Sequence, residues 1–484
     1  MRRALLAGSC LLPLLCACTV GPDYAAPDTT VRESWEGDHI QTAHGAQTAT
    51  AWWQAFDDPL LTQLMEETAA HNLDVRIALA NIERARALRQ SALAPFFPRI
   101  DASADATREG FSEATSRNRV NAEQERDNFN ASLDALWELD FFGRIRRLSQ
   151  AADARLEASE EDRRDILMAA LAETAQSYFT VRGLQKRVKV LRHNVELLRE
   201  VEEVAKSQFE AGIVTEFDYT TAVGERQQVE ATVPLLEADL AAATYRLAVL
   251  AGKDPNHYSA LLEKSAPLPM PQDIVPVGLR SELLRRRPDI RRAERELAAS
   301  SADIGVAVAD LFPRVSLTGS IGSSALTFSD LFTSAGVNHH YGGILTLPIF
   351  QGGAGFAAID AAKAANKAAL LSYERAVLTA LEDAEVSLVR YGKEWQTLER
   401  LQAAEAQRRE AYRIARLRYE SGQENFLVML DAERSLVTAQ DQTIQSETRI
   451  LTYLTQLYKA LGGGWQVFEE TPTDSKAKIA ADTL

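Results

Sequence analysis

The chain is written twice. Asn72, Leu73, Asp74, Val75 and Arg76 are followed by Ala87, Ala92 and Ala94 and then by Phe97, Pro98, Arg99 and Ile100. Displaced by 215 positions, Pro288, Asp289, Ile290 and Arg291 are followed by Ala302, Ala307 and Ala309 and then by Phe312, Pro313, Arg314 and Val315. Phe209, Glu210, Ala211 and Gly212 likewise correspond to Tyr419, Glu420, Ser421 and Gly422 at a displacement of 210, which also relates 247–252 to 457–462. A period of about 20 to 50 residues marks a solenoid. A period near 210 marks a duplicated fold of several elements, so whatever 58–252 builds, 281–462 builds again.

Each copy runs through the same patterns. Residues 60–93 space Leu60, Leu61, Leu64, Ile77 and Ile82 as in a helix, and the pattern stops at Pro95 and Pro98 as its counterpart over 281–311 stops at Pro313. The period then becomes two. Phe129, Ala131, Leu133, Ala135, Trp137 and Leu139 alternate with polar residues, and so do Val315, Leu317, Gly319 and Ile321. With 100–106 and 341–349 as the less regular partner strands, each copy is expected to contribute one β-hairpin, at about 98–142 and 313–350, with loops near 110–126 and 325–338.

A long helix follows each hairpin. Gly143 and Gly212 enclose 68 residues with one glycine, Gly183, and no proline, and Gly353 and Gly422 enclose another 68 with two glycines, Gly355 and Gly392, and no proline. Each tract is about 100 Å as a helix. Leu184, Val188, Leu191, Val195 and Leu198 step by four and three, as do Leu388, Tyr391, Trp395 and Leu398, which is the coiled-coil spacing. Gly212 and Gly422 stand where a left-handed residue ends a helix, and 213–251 and 423–461 return. An opening helix and a return helix laid end to end match one long helix, so a copy is two rods crowned by a hairpin.

The hairpins decide what such rods are for. A strand of about 10 tilted residues spans a bilayer, and alternation suits lipid on one face and a wet lumen on the other. Trp137, Phe141, Phe142, Tyr341 and Phe350, near the expected strand ends, suit an aromatic girdle. Four strands do not close a barrel, since about eight is the minimum, so several chains must share one.

Composition excludes much else. The 484 residues carry 53 Lys and Arg against 68 Asp and Glu, a formal charge of −15 that offers nucleic acid no cationic groove. The three cysteines, Cys10, Cys16 and Cys18, all lie in the first 18 residues, which removes disulfide frameworks, cysteine metal sites and cysteine nucleophiles from the rest. Arg2 and Arg3 precede an apolar stretch, 4–17, too short to span a bilayer, so 1–17 reads as a signal peptide. Leu15, Cys16, Ala17 and Cys18 resemble the lipobox of bacterial lipoproteins, which implies cleavage before Cys18 and a covalent lipid on it. Losing Arg2 and Arg3 takes the charge from −15 to −17. Thr19 rather than an aspartate follows Cys18, which resembles an outer-membrane address. Among the seven histidines only His339 and His340 are neighbours, placed where a loop enters a strand. Neither they nor the helical carboxylates form a catalytic or metal constellation, and no cofactor or enzyme activity is expected.

Several runs carry a family resemblance. Cys18, Thr19, Val20, Gly21, Pro22, Asp23 and Tyr24 form the first, and Trp52 and Trp53 with Phe56 and Asp58 the second. Leu284, Arg285, Arg286, Arg287, Pro288, Asp289, Ile290 and Arg291 with Ala293 and Glu294 follow. Leu347, Pro348, Ile349 and Phe350 with Gly352 and Gly353, and Tyr458 through to Gly462, Gly463, Gly464 and Trp465, complete the set. Together they resemble the TolC-like outer-membrane efflux proteins, in their lipoprotein, NodT-type branch. The resemblance implies a mainly α fold with transmembrane β: a homotrimer whose twelve strands form one outer-membrane β-barrel, continuous with a long periplasmic α-helical barrel. It implies a passive exit duct for drugs or other small toxic compounds, working with a periplasmic adaptor and a proton-driven inner-membrane pump. It also implies a mid-tunnel belt, supplied here by 18–57, 253–280 and 463–484.

The same resemblance assigns the tip. Leu427 and Asp431, four apart on one helix face, match positions that form constricting rings at the closed periplasmic mouth. Their first-copy counterparts are Phe217 and Thr221. Arg416, Arg418 and Tyr419 would latch the tip to acids such as Glu210, although Glu420 stands where some relatives carry arginine. The adaptor would dock around Lys206, Gln208, Gly212, Ser421 and Gly422. Two other readings stand beside the drug duct: a lipid-anchored coiled-coil scaffold without channel activity, which has no use for bilayer-length strands, and a metal-ion efflux channel, for which the scattered Met65, Met168, Met270 and Met429 give no support.

Overall fold

The computed structural model describes residues 19–28, 50–110, 125–270 and 280–469. The first copy consists of α1 (Pro59–His71), α2 (Leu73–Leu93), β1 (Arg99–Gly110), β2 (Glu125–Leu139), α3 (Arg144–Glu210), α4 (Glu216–Glu230) and α5 (Val233–Leu250). After the short α6 (Ser259–Leu262), the second copy consists of α7 (Arg280–Arg286), α8 (Pro288–Ala309), β3 (Arg314–Ala325), β4 (Val337–Thr346), α9 (Ala354–Glu420) and α10 (Phe426–Ala460). The two long helices have 67 residues each. Gly183 inside α3 is where α10 crosses, for a Cβ there would lie 2.3 Å from the Thr448 hydroxyl.

The expected single opening helices are each broken, at equivalent places. Asn72 separates α1 from α2, and its Oδ1 caps α2 by accepting from the Asp74 and Val75 amides at 2.9 and 3.1 Å. Arg287 separates α7 from α8, where Pro288 cannot donate a helical hydrogen bond. The two break residues do the same work: Asn72 donates to the carbonyl of Leu250 at 2.8 Å and Arg287 to that of Ala460 at 3.3 Å. Leu250 and Ala460 are the last residues of the two return helices, whose end carbonyls have no intrahelical donor. The return helices themselves differ. The second copy has one unbroken α10, whereas Pro234 splits the first into α4 and α5.

The chain divides into two compact units. One comprises 19–28 with 81–160 and 292–374 and holds a single antiparallel sheet in the order β1-β2-β3-β4. Its register sorts side chains by face through the middle of the strands. Ile100, Ala102, Ala104 and Ala106 stand across from Ala135, Leu133, Ala131 and Phe129, whereas Asp101, Ser103 and Asp105 stand across from Asp134, Ser132 and Asn130. In β3 the apolar row continues through Ile321 and Ala325 and the polar row through Ser320 and Ser324. β1 and β4 are the two edges, each with one unpaired side.

β4 begins four residues earlier than expected and ends at Thr346, because Pro348 has no N–H for a ladder. Two expectations change with it. His339 and His340 lie inside the strand, opposite Ile321 and Ser320 and therefore on opposite faces, where they cannot share an ion. Tyr341 is mid-strand rather than at an end, and Phe142 stacks on Phe312 at 4.9 Å instead of standing free in a girdle.

The other unit comprises 50–80, 161–291 and 375–469 of the described residues. Its core surrounds Trp52 and Trp53, both 1% exposed. Trp52 stacks on Tyr458 at 5.1 Å, Trp53 on Phe468 at 5.7 Å, and Phe56 leans on Phe179 at 5.0 Å. Residues 50–57 and the described parts of 253–280 and 463–484 meet here, since Tyr258, Leu262 and Trp465 belong to the same cluster as Trp52, Trp53 and Phe56.

Candidate functional site

Two helix turns, built alike, carry the residues singled out in the sequence. Gly212 and Gly422 both have φ of +72°. The amide of Gly212 donates to Phe209 and that of Ile213 to Gln208, and the amides of Gly422 and Gln423 repeat this on Tyr419 and Arg418, all at 2.8–2.9 Å. No atom lies within 4 Å of a Cβ at either glycine, so the left-handed backbone and not crowding requires it. Thr215 opens α4 with a reciprocal capping box to Asp218, and the Asn425 side chain opens α10 by accepting from the Leu427 amide at 3.1 Å.

Beside the turns α3, α4, α9 and α10 pack on a small core of Leu198, Ala205, Ala222, Ala415, Phe426, Met429 and Leu430. α10 presents Phe426, Met429, Leu430 and Glu433 to it and leaves Leu427 and Asp431 exposed on the other side. Leu427, 38% exposed, is therefore no part of the coiled-coil core. Phe217 is exposed, and Thr221 donates to its carbonyl at 2.6 Å.

The latch residues find partners other than Glu210. Tyr419 donates to Gln208 at 2.7 Å, linking the two turns, and tilts its ring over Phe426 at 5.6 Å. Burial pushes its phenol up. Arg416 donates to Glu420 at 2.8 Å, one helical turn on, and Arg418 lies 3.9 Å from Glu424. Of the docking residues, Lys206 is exposed, Gln208 is half-buried under Tyr419, and the Ser421 hydroxyl donates to the Arg418 carbonyl at 3.0 Å. Sequence reasoning passed over Glu433 and the pairing of buried Glu225 with the exposed Arg434. Spacing alone could have found Glu433, which continues the buried stripe of Phe426 and Leu430.

A second site surrounds the start of the described chain. Cys18 lies outside the described residues, but Thr19 and Val20 are held at the junction of β2 and α3, where the Val20 amide donates to the Phe142 carbonyl at 3.2 Å. Arg147, buried on α3, donates to the carbonyls of Val20 and Gly21 and to Asp23 at 2.8–3.2 Å. Tyr24 donates to Glu294 at 2.9 Å, and burial followed by that carboxylate pushes its phenol well up. Gly21 rests against Gly305, where a Cβ would come within 2.5 Å of backbone.

Residues 64–253 and 279–463 each match the family described as outer membrane efflux protein, and the two matches begin 215 and end 210 residues apart, as the internal copies do. This chain belongs to the outer membrane efflux protein family. It is similar to Nodulation protein T of Rhizobium leguminosarum bv. trifolii, with 32% identity over 93% of this chain and 96% of that protein. It is as similar, at 32% over 94% and 97%, to the solvent efflux pump outer membrane protein SrpC of Pseudomonas putida. Among solved structures, the outer-membrane channel OprN superposes with a TM-score of 0.85 at 38% identity, covering 93% of this chain and all of that one. As an outer membrane efflux protein the chain is a channel of the outer membrane that extends into the periplasm, not an enzyme and not an inert scaffold. It has the mainly helical TolC-like fold with four strands per chain. Among the described residues no helix is long and apolar enough to cross a membrane, and no group of three or more His, Cys, Asp or Glu could hold a metal ion.

Proposed function

We propose that this efflux channel is the trimeric exit duct of a tripartite pump, passing drugs, solvents and other small toxic compounds outward and closing at its periplasmic tip through rings of Leu427 and Asp431. The observation that carries the reading is the sheet, with one apolar face, one polar face and both edges open. Three copies supply twelve strands, enough to close around a wet lumen, with β4 of one chain pairing with β1 of the next. The similarity to a solvent-pump component supports the cargo class.

In that trimer only the second copy contributes to the rings, because Phe217 and Thr221 replace leucine and aspartate in the first. Three leucines close a dewetted constriction, and three carboxylates repel anions. Tyr419, through Gln208, holds the two turns together, while Arg416 and Arg418 brace α9 and its turn through Glu420 and Glu424. A periplasmic adaptor docks on the surface around Lys206, Gln208, Gly212, Ser421 and Gly422, and couples the duct to a proton-driven inner-membrane pump. Lipid on Cys18 completes the anchorage: its neighbours Thr19 and Val20 are tied to the end of a membrane strand, so the acyl chains start at the bilayer boundary.

Leu427→Ala with Asp431→Ala tests the gate. Single-channel conductance in planar bilayers should rise, and cells carrying the variant should become sensitive to vancomycin. Unchanged conductance in a correctly assembled trimer would refute the assignment.

A further inference from the structure

The face of α10 opposite Leu427 and Asp431 carries an anomaly. Glu433 is 3% exposed, and neither of its carboxylate oxygens has a hydrogen-bond partner. An ionised carboxylate in such a place is expensive, and the cost is relieved by taking up a proton.

None of the surrounding charged groups bonds to it. From α4 it faces Glu225, which is itself buried and bonded to Arg434 of α10. From α9 it faces Arg416, which is engaged with Glu420 at 2.8 Å, and the phenol of Tyr412, which is also near Glu200 of α3. One anion and one committed cation thus bear on a carboxyl group in the middle of the tip core.

We propose that Glu433 is a proton-operated lock on the periplasmic tip. Protonated, it lets α10 stay packed on α3, α4 and α9. Ionised, it demands water or draws Arg416 away from Glu420, and either change loosens the packing that holds Leu427 and Asp431 in place. The proposal rests on the reading of those two residues as the gate.

The sign follows from which state holds the proton. Burial first, and Glu225 second, push the carboxyl of Glu433 up to about 7 in the packed tip, with Arg416 opposing. In a loosened tip, where water reaches it, the group returns toward the ordinary 4.5. The packed state therefore binds the extra proton between these values, and opening gains as pH rises through that window and levels off above about 7. Each protomer's open-to-closed ratio grows by at most about tenfold per pH unit. The duct should shut as its surroundings turn acidic.

The test is open probability of the full-length trimer in planar bilayers, recorded from below pH 5 to pH 8 for the protein itself, Glu433→Gln, Glu225→Gln and the Leu427→Ala/Asp431→Ala pair. The unaltered channel should open progressively and reach a plateau above neutrality. Glu433→Gln, locked in the neutral form, should stay at the acid level throughout, and Glu225→Gln should move the midpoint to lower pH. A Glu433→Gln channel that titrates like the parent overturns the lock. If the gate pair raises conductance at every pH while Glu433→Gln titrates normally, the gate stands and the lock falls. If Glu433→Gln loses its response while the gate pair changes nothing, the lock stands and the gate is elsewhere. Should Glu433→Gln fail to assemble, the Glu225→Gln midpoint decides, and an unmoved one overturns the proposal.

Discussion

Arg287→Met is the substitution most informative about how the helices of the second copy are held together. The guanidinium is 7% exposed and makes five hydrogen bonds: two to Asp289 at 2.7 and 3.0 Å, one to Asp383 at 3.0 Å, and one each to the carbonyls of Ala380 and Ala460 at 3.4 and 3.3 Å. Asp383 is half exposed and contributes little after screening by water. Asp289, at 20% side-chain exposure, and the two carbonyls are what the methionine would leave unpaired. Removing one partner of a buried ion pair costs about 3 to 5 kcal/mol, and the partial exposure of both aspartates puts this case near about 3 kcal/mol. Arg285, two positions earlier and exposed, is the control, since a surface change of this kind falls within about 0.5 kcal/mol. The assay is the guanidinium midpoint for loss of helical circular dichroism, at one fixed protein concentration in detergent. Arg287→Met should unfold at clearly lower denaturant than Arg285→Met. Coincident midpoints would refute the claim that this arginine ties α8 to α9 and to the end of α10.

Two further outcomes follow from particular contacts. Cys18→Ser should abolish incorporation of labelled palmitate while leaving a trimer in the outer membrane, and persistent labelling would sink the lipid assignment. Glu67 accepts from Tyr258 at 2.5 Å, and although burial pushes its carboxyl up, that bond, another from Gln63 and the charges of Lys253 and His257 hold it below its ordinary 4.5. A depressed carboxyl stabilises the fold above that value and loses the contribution as pH falls beneath it. Tyr258→Phe should therefore cost about 1 kcal/mol at pH 7, with the deficit shrinking below pH 4.5 in thermal melts, and a deficit independent of pH would contradict this.

Much of this architecture was legible residue by residue because its signals are local. The left-handed turns needed only Gly212 and Gly422, the long helices needed only tracts free of proline, and the strands needed only alternation, which one residue of slippage would invert. The two copies were legible because both displacements survive in the sequence and reappear as paired helix ends, paired breaks and paired turns. At the tip, Leu427 and Asp431 share an exposed face as their spacing requires, but the partners of Arg416, Arg418 and Tyr419 did not follow from spacing.

What only tertiary structure decided lies where distant segments meet. The breaks at Asn72 and Arg287 have their reason in carbonyls 178 and 173 residues away, at the ends of the return helices. The true extent of β4 was settled by ladder pairing up to Thr346, just ahead of Pro348. Spacing places Glu433 on the stripe of Phe426 and Leu430, but says nothing of what faces it. Its burial without a partner depends on which faces of α3, α4, α9 and α10 close around it, and the cost of an unsolvated charge is fixed by that enclosure, not by the residues beside it in the chain.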